Sequence, residues 1–231
     1  LLLLFVGATT TVAQVSISCP PNISMSNDLG SCGAIVNYTP PVGTGSGTNI
    51  TTQLISGLPS GEFFGVGTTQ IVYKVSNDEG DSDQCTFFIT ISDNEAPVFD
   101  CPTEYIFYAD EGACSTVVNF DMPDVTDNCG LFSAYQFGGP TTGSNLTVGE
   151  YFLDFTASDL DGNQAFCRVI LKVIDGNDPE ITCPADITAS ASANCTAVVN
   201  YTPPVGTDAC STPTTTLISG IGPGGTFPLG T

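Results

Sequence analysis

Histidine and tryptophan are absent from this 231-residue chain, and Lys74, Arg168 and Lys172 are its only basic residues. Each absence removes a class of function. Without imidazole there is no ordinary general base, and nothing to activate a nucleophilic thiol near neutral pH. Zinc is excluded from a second side, because no two cysteines stand two to four residues apart. Nucleic acid is an unsuitable partner, since phosphate binding needs clustered Lys and Arg. Acid pairs for glycoside hydrolysis can be picked from any acidic chain, but that chemistry also needs a sugar-lining cleft, and no Trp is present to stack on a sugar ring. No run of ~20 apolar residues predicts membrane insertion within this sequence, and no organic cofactor is expected.

Carboxylate, cysteine and repetition are abundant instead. Asp and Glu number 24 and set a formal net charge of −21. Carboxylates at that density repel one another unless solvated, screened or bridged, which makes a cation the expected partner. Ten cysteines suggest a disulfide framework and an extracellular, secreted or cell-surface location. The opening stretch LLLLFVGATTTVAQ reads as a signal segment, with Thr11 and Ala13 at the −3 and −1 positions of a cleavage before Gln14.

The cysteines also disclose a period. Cys19, Cys101 and Cys183, each followed by Pro, lie 82 residues apart, as do Cys85 and Cys167. Literal copies agree: NYTPPVGT stands at 37–44 and 200–207, and LISGLPSGEFFGVGT at 54–68 matches LISGIGPGGTFPLGT at 217–231. This register predicts a signal remnant over 1–13, module 1 over 14–93, module 2 over 94–175 and an incomplete module 3 over 176–231. Within a module, apolar residues recur with period two in TTQIVYKVS, TFFITIS and FCRVILKVI, while Gly, Pro, Asn and Asp punctuate every 8 to 12 residues. About seven short strands per module predict an all-β chain of tandem antiparallel immunoglobulin-like β-sandwiches.

Read in order, the Cys-Pro start, C.A.VNYTPP, TDNCG, SGLPSG..F.VGT and T.SD.DGN...C....V.V.D resemble the hyalin repeat (HYR) family over essentially the whole chain after the signal segment. The resemblance implies extracellular immunoglobulin-like modules that occur in tandem in adhesion proteins, have no catalytic activity as modules and are not defined by a single ligand.

In a seven-strand sandwich the entering linker, the B–C loop and the F–G loop meet at one pole. In module 2 these segments bring Asp93, Asn94 and Glu95 of the linker, Asp124, Asp127 and Asn128 of DVTDNCG, and Asp159, Asp161 and Asn163 of SDLDGN. Calcium takes six to eight oxygens from carboxylates, amides and carbonyls, so the set is a candidate calcium site at the junction of modules 1 and 2. The linker resembles the acidic linkers of cadherins, where calcium stiffens the joint. Asp175, Asn177, Asp178 and Asp208 are the corresponding candidates between modules 2 and 3, whose own F–G loop would lie beyond Thr231. Taken singly each motif is an ordinary turn, and only convergence argues for a ligand. DLDGN is not an EF-hand loop, because Gly162 stands at position 4 and Ile170 at position 12. Module 1 has TGSGTN at 44–49 in place of the acidic B–C loop, as expected if those acids serve a junction.

Module 2 holds Cys101, Cys114, Cys129 and Cys167, which allow three connectivities; Cys101 with Cys167 and Cys101 with Cys129 both suit the topology. Module 1 holds Cys19, Cys32 and Cys85, an odd number that leaves one thiol free or paired between chains, and module 3 holds Cys183, Cys195 and Cys210. Sequons start at Asn22, Asn37, Asn49, Asn145, Asn194 and Asn200, glycan sites in a eukaryotic secretory pathway.

Together these features predict a non-catalytic secreted or cell-surface array, an adhesive or structural stalk with calcium at its joints and a cell-surface or matrix protein or glycan as partner. A reading from another class makes the modules spacers of a secreted hydrolase whose catalytic domain lies past Thr231. A protein-recognition module would instead expose aromatics, for which Tyr105, Phe107 and Tyr108, or Phe132, Tyr135 and Phe137, are the candidates.

Overall fold

The computed structural model describes residues 14–230. The expected signal segment, with Thr11 and Ala13, lies outside the described residues. The first repeat contributes β1 (Val15–Ser16), β2 (Ile23–Ser26), β3 (Gly33–Ile35), β4 (Thr44–Gly45), β5 (Thr51–Ser56), β6 (Phe63–Gly65), β7 (Gly67–Ser76) and β8 (Ser82–Ser92). The second contributes β9 (Val98–Phe99), β10 (Glu104–Tyr108), β11 (Ser115–Val117), β12 (Val125–Thr126), β13 (Leu131–Gly138), β14 (Asn145–Thr147), β15 (Gly149–Asp159) and β16 (Gln164–Ile174). Then come β17 (Thr196–Val199) and β18 (Gly225–Pro228), which pair with each other. At both ends β16 begins and stops 82 residues after β8, so the period of the sequence is the period of the strands.

Both repeats build the same two layers. One is a four-stranded sheet, β2-β8-β7-β5 in the first and β10-β16-β15-β13 in the second. The other layer carries β3 with β6 and β11 with β14, flanked by the short pairs β1 with β4 and β9 with β12. The chain is thus all-β, a tandem of immunoglobulin-like sandwiches. The central pair β7 and β8 is an antiparallel hairpin, Gly67↔Ile91 to Ser76↔Ser82. The sheet's first strand joins β8 in parallel, Ile23↔Ile89, and β10 joins β16 likewise, Glu104↔Ile170. A parallel neighbour requires a crossover, and here the chain makes it through the opposite layer.

By compactness the chain divides into two units. One takes the chain up to Asp100 with Asp124–Tyr135 and Thr156–Phe166; the other takes Cys101–Pro123, Gln136–Phe155 and the chain from Cys167 on. The first unit's core follows from strand parity: Ile71, Tyr73 and Val75 of β7 and Phe87, Ile89 and Ile91 of β8 are buried at every second position. Tyr38 meets Phe87 edge-on at 5.3 Å, and its hydroxyl donates to Leu58 O at 2.7 Å, so its polar end is satisfied where its ring is buried. In the second unit Leu153 and Phe155 of β15 and Val169, Leu171 and Val173 of β16 form the equivalent core.

Gly57 and Gly139 occupy the same repeat position, just past β5 and β13, with φ of +93° and +87°. A Cβ on Gly139 would run into the Phe152 carbonyl, so this turn needs glycine for conformation and for space.

The inward parity does not end with apolar residues. Two positions beyond Ile91 is Asp93, beyond Val75 is Asn77 and beyond Ala157 is Asp159, and all three polar side chains are buried. Two beyond Val173 is half-buried Asp175. Alternation therefore delivers carboxylates to the ends of the cores.

Candidate cation site at the repeat junction

Asp93 follows β8, Asp127 follows β12 and Asp159 closes β15, and all three belong to the first compact unit. One carboxylate oxygen of each lies within 4.8 Å of the others. Asp93 and Asp159 are each only 3% exposed, and Asp127 is half-buried.

Local backbone holds each of them. Asp159 Oδ1 accepts the N–H groups of Asp161, Gly162 and Asn163 at 3.0, 2.7 and 2.8 Å. Asp127 Oδ1 accepts those of Cys129 and Gly130, both at 2.8 Å. Asp93 Oδ1 accepts from Glu95 N at 3.0 Å and Asn128 Nδ2 at 3.3 Å. Asn163 Nδ2 donates to Asp159 Oδ2 at 2.7 Å and to Asp93 O at 3.1 Å, joining two of the three segments. The turn and the ligand readings of these motifs are thus compatible, since turns at Asp93 and Asp127 occupy one oxygen and leave the other. Asp93 Oδ2 and Asp127 Oδ2 are buried with no hydrogen-bond partner.

That arrangement is costly in a protein alone. Buried polar atoms are almost always paired, and two unit charges ~5 Å apart repel by roughly 3 kcal/mol even at an effective dielectric near 20. The cations of the second unit serve elsewhere: Arg168 pairs with Asp154 at 2.6 Å and lies over the Phe152 ring at 5.5 Å, and Lys172 pairs with Glu104 at 2.6 Å. A hard divalent cation fits the three aspartates. Oxygens bound to one calcium at ~2.4 Å are no more than about 4.8 Å apart, and the donors are all oxygen.

Burial pushes the Asp159 carboxyl up, but the Asn163 side chain and the three backbone N–H groups outweigh it, holding it below the usual carboxylate range. Its folded pKa is depressed, so the stability it contributes is present above the unfolded value near 3.8 and is lost as pH falls through the lower folded one. Asp159→Asn is accordingly expected to flatten the acid limb of a melting-temperature profile below about pH 4. An acid limb as steep as the parent's would assign that titration to other groups.

The other sequence candidates divide. Glu95 accepts from Asn27 Nδ2 at 2.7 Å and from Gly30 N at 2.8 and 3.0 Å, and Asn94 Nδ2 donates to Ser26 Oγ at 2.6 Å, so both bind the linker to the β2–β3 region. Asp124 and Asp161 are exposed and stand outside the carboxylate cluster. Asn128 and Asn163 act as donors that position the carboxylates. In the second unit Asp175 and Asp208 gather with Cys210, their ligand atoms again within 4.8 Å. Asp175 Oδ1 accepts Asn177 N at 3.1 Å; Asp208 Oδ1 accepts Cys210 N at 2.8 Å and Ser211 N at 2.6 Å, bonds that hold the Asp208 carboxyl below its usual range. Asp178 is exposed and, with Glu111, Glu180 and Asp208, lines an open depression of about 790 Å³.

The first repeat has a different pole. Asn77 stands where the second has Asp159, and Gly45 and Gly47 where it has Asp127 and Cys129. Asn77 Nδ2 donates to Ser46 O at 3.2 Å and Asp81 Oδ2 at 3.1 Å, so an amide replaces the buried charge.

Sequence reasoning missed the covalent part of the junction. Cys32, beside the β2–β3 turn, is bonded to Cys129 across 97 residues, so the odd cysteine of the first repeat is neither free nor paired with another chain. Cys101 takes Cys167, with the same 66-residue separation as Cys19–Cys85. A signal was available: the first repeat has Gly47 at the position of Cys129, so Cys32 had no counterpart there inside its own sandwich. Asn128 Nδ2 adds a hydrogen bond to Ser31 O at 3.2 Å beside the bridge.

The family model described as HYR domain matches residues 11–91 and 92–173. The chain belongs to the HYR domain family. Hyalin of Strongylocentrotus purpuratus is 31% identical over 96% of this HYR chain, which spans 19% of that protein. Hyalin of Lytechinus variegatus is 28% identical over 97% of the chain, which spans 43% of it. The sushi, von Willebrand factor type A, EGF and pentraxin domain-containing protein 1 of Rattus norvegicus is 27% identical over 74% of the chain, which spans 5% of it. The HYR chain thus covers less than half the length of these relatives. Its relatives and its three disulfides place it outside the cell, secreted or at the surface.

Proposed function

We propose that this chain is a non-catalytic HYR array that acts as an adhesive or structural stalk, with calcium stiffening the joint between repeats. The observation that carries the reading is the convergence of Asp93, Asp127 and Asp159 where the linker enters the second repeat, with two buried carboxylate oxygens lacking partners. These three residues hold the ion, and Asn128 and Asn163 orient them; Asp175 and Asp208 are the corresponding ligands at the next joint. Bound calcium supplies positive charge to the three clustered carboxylates. Repeats over 14–93, 94–175 and 176–231 are the mechanical units, and a cell-surface or matrix protein or glycan is the partner. Phe132 and Tyr135, 72% and 54% exposed, offer contact area for it.

The test is a melt and a small-angle scattering curve of the full chain, oxidised, in millimolar calcium and in chelator. Extracellular calcium modules bind at ~10⁻⁴–10⁻³ M; at the tight end of that range about 10 mM calcium is a hundredfold excess over Kd and stabilises by about 2.7 kcal/mol. For a chain of this length that is roughly a 5–10 °C rise in Tm, together with a longer and stiffer particle. Superimposable curves in the two solutions would reduce the cluster to turns and leave a flexible, disulfide-held tether.

A further inference from the structure

We propose that Cys114 and Cys210 form a second repeat-to-repeat disulfide, so that the bridge Cys32–Cys129 is one instance of a crosslink built into each junction of the array. Both thiols belong to the second compact unit, and each is half-buried. The Cys210 thiol donates to Ala113 O at 3.3 Å, and the Cys114 thiol donates to Ala209 O, so each sulfur faces the backbone just before its partner.

The surroundings repeat those of the bond already formed. Cys114 stands 82 residues after Cys32, and Cys210 stands 81 after Cys129. Ser31 N donates to Asp28 O at 2.9 Å in the turn before Cys32, and Ala113 N donates to Asp110 O at 2.9 Å in the turn before Cys114. On the other side, Asp127 Oδ1 caps the N–H of Cys129 as Asp208 Oδ1 caps that of Cys210, both at 2.8 Å. The remaining cysteines of the third repeat, Cys183 and Cys195, are exposed.

Closing the bond removes two electrons and two protons from the thiols. They pass by thiol–disulfide exchange to a disulfide oxidant of the secretory compartment, a low-molecular-weight or protein disulfide, which is reduced to two thiols. Oxidation also withdraws Cys210 from the cluster it forms with Asp175 and Asp208, leaving carboxylates alone as charged donors. This inference does not rest on the calcium reading, since the crosslink needs no ion. The rival is a thiolate site for a soft metal, made by Cys114, Cys210 and the two carboxylates.

The experiment is thiol alkylation in denaturant of the full chain, secreted under oxidising conditions, followed by peptide mapping without reduction. The expected result is two alkylated cysteines, Cys183 and Cys195, and one peptide pair joined through Cys114 and Cys210. Cys210→Ser is expected to release a third thiol, at Cys114, and Cys114→Ser to release one at Cys210. Should either variant fail to be secreted, the parent's map still decides. Alkylation of both Cys114 and Cys210 in the parent would overturn the proposal, as would their capture in links to Cys183 or Cys195. Protection of the two thiols in native protein that is lost on adding chelator, with no joined peptide, would establish the metal site in its place.

Discussion

Asp127→Asn is expected to raise the melting temperature of the chain in chelator and to lower it in millimolar calcium. The substitution changes little else. Asn Oδ1 can accept the N–H groups of Cys129 and Gly130 as the carboxylate does, and the new amide replaces an oxygen that has no partner. Without an ion, removing this charge abolishes two of three repulsions among groups within 4.8 Å of one another. Each such repulsion is on the order of 3 kcal/mol before solvent screening at the half-exposed Asp127 is considered, and a net gain of about 1 kcal/mol, or roughly 2–4 °C, is the expected remainder. With calcium the same residue is a ligand, and most of the roughly 5–10 °C stabilisation is lost with it. The check is a pair of calorimetric scans on parent and variant. A crossing of the two orders identifies an ion site, because only a bound cation makes the same carboxylate unfavourable in one solution and favourable in the other. A variant that melts below the parent in both solutions would assign Asp127 to the turn alone.

Replacing Cys32 and Cys129 together by Ser is expected to destabilise the oxidised chain by roughly 4 kcal/mol, the largest effect of any change at the junction. The bridge closes a loop of 97 residues, which Cys19–Cys85 already shortens, and loops of such length give close to the upper end of the entropic stabilisation. Nothing local replaces it. Around the bridge the β12–β13 loop keeps the hydrogen bonds of Asn128 to Ser31 O and Asp93 Oδ1, worth about 1 kcal/mol each. Urea denaturation under oxidising conditions reads the loss as a lower midpoint, and calcium affinity is expected to fall with it because Asp127 stands on the freed loop. An unchanged midpoint would mean that the crosslink records proximity without supporting it.

Most of this fold is visible in one dimension. The 82-residue period, the alternation through Ile71, Tyr73 and Val75 and through Phe87, Ile89 and Ile91, and the punctuation by Gly and Pro together specify tandem β-sandwiches, because side-chain parity and turn chemistry are local properties of a chain. The acidic composition and the absence of His likewise point to oxygen donors. Parity even singles out Asp93 over Asn94.

The tertiary structure decided the rest. Asp159 enters the cluster and Asp161 does not, although both follow the same parity, because the chain turns at Asp159 by wrapping three N–H groups around its own carboxylate. Glu95 leaves for the turn of the preceding repeat because Asn27 and Gly30 offer it donors there. The first strand of each large sheet lies parallel to its neighbour because the chain crosses to the other layer before returning, which no local pattern encodes. Composition and period by themselves determined a disulfide-rich, acidic β array; which cysteine meets which, and which three of many carboxylates share one pocket, depended on where loops 66 and 97 residues apart come to rest, and such meetings are set by the packing of whole sandwiches.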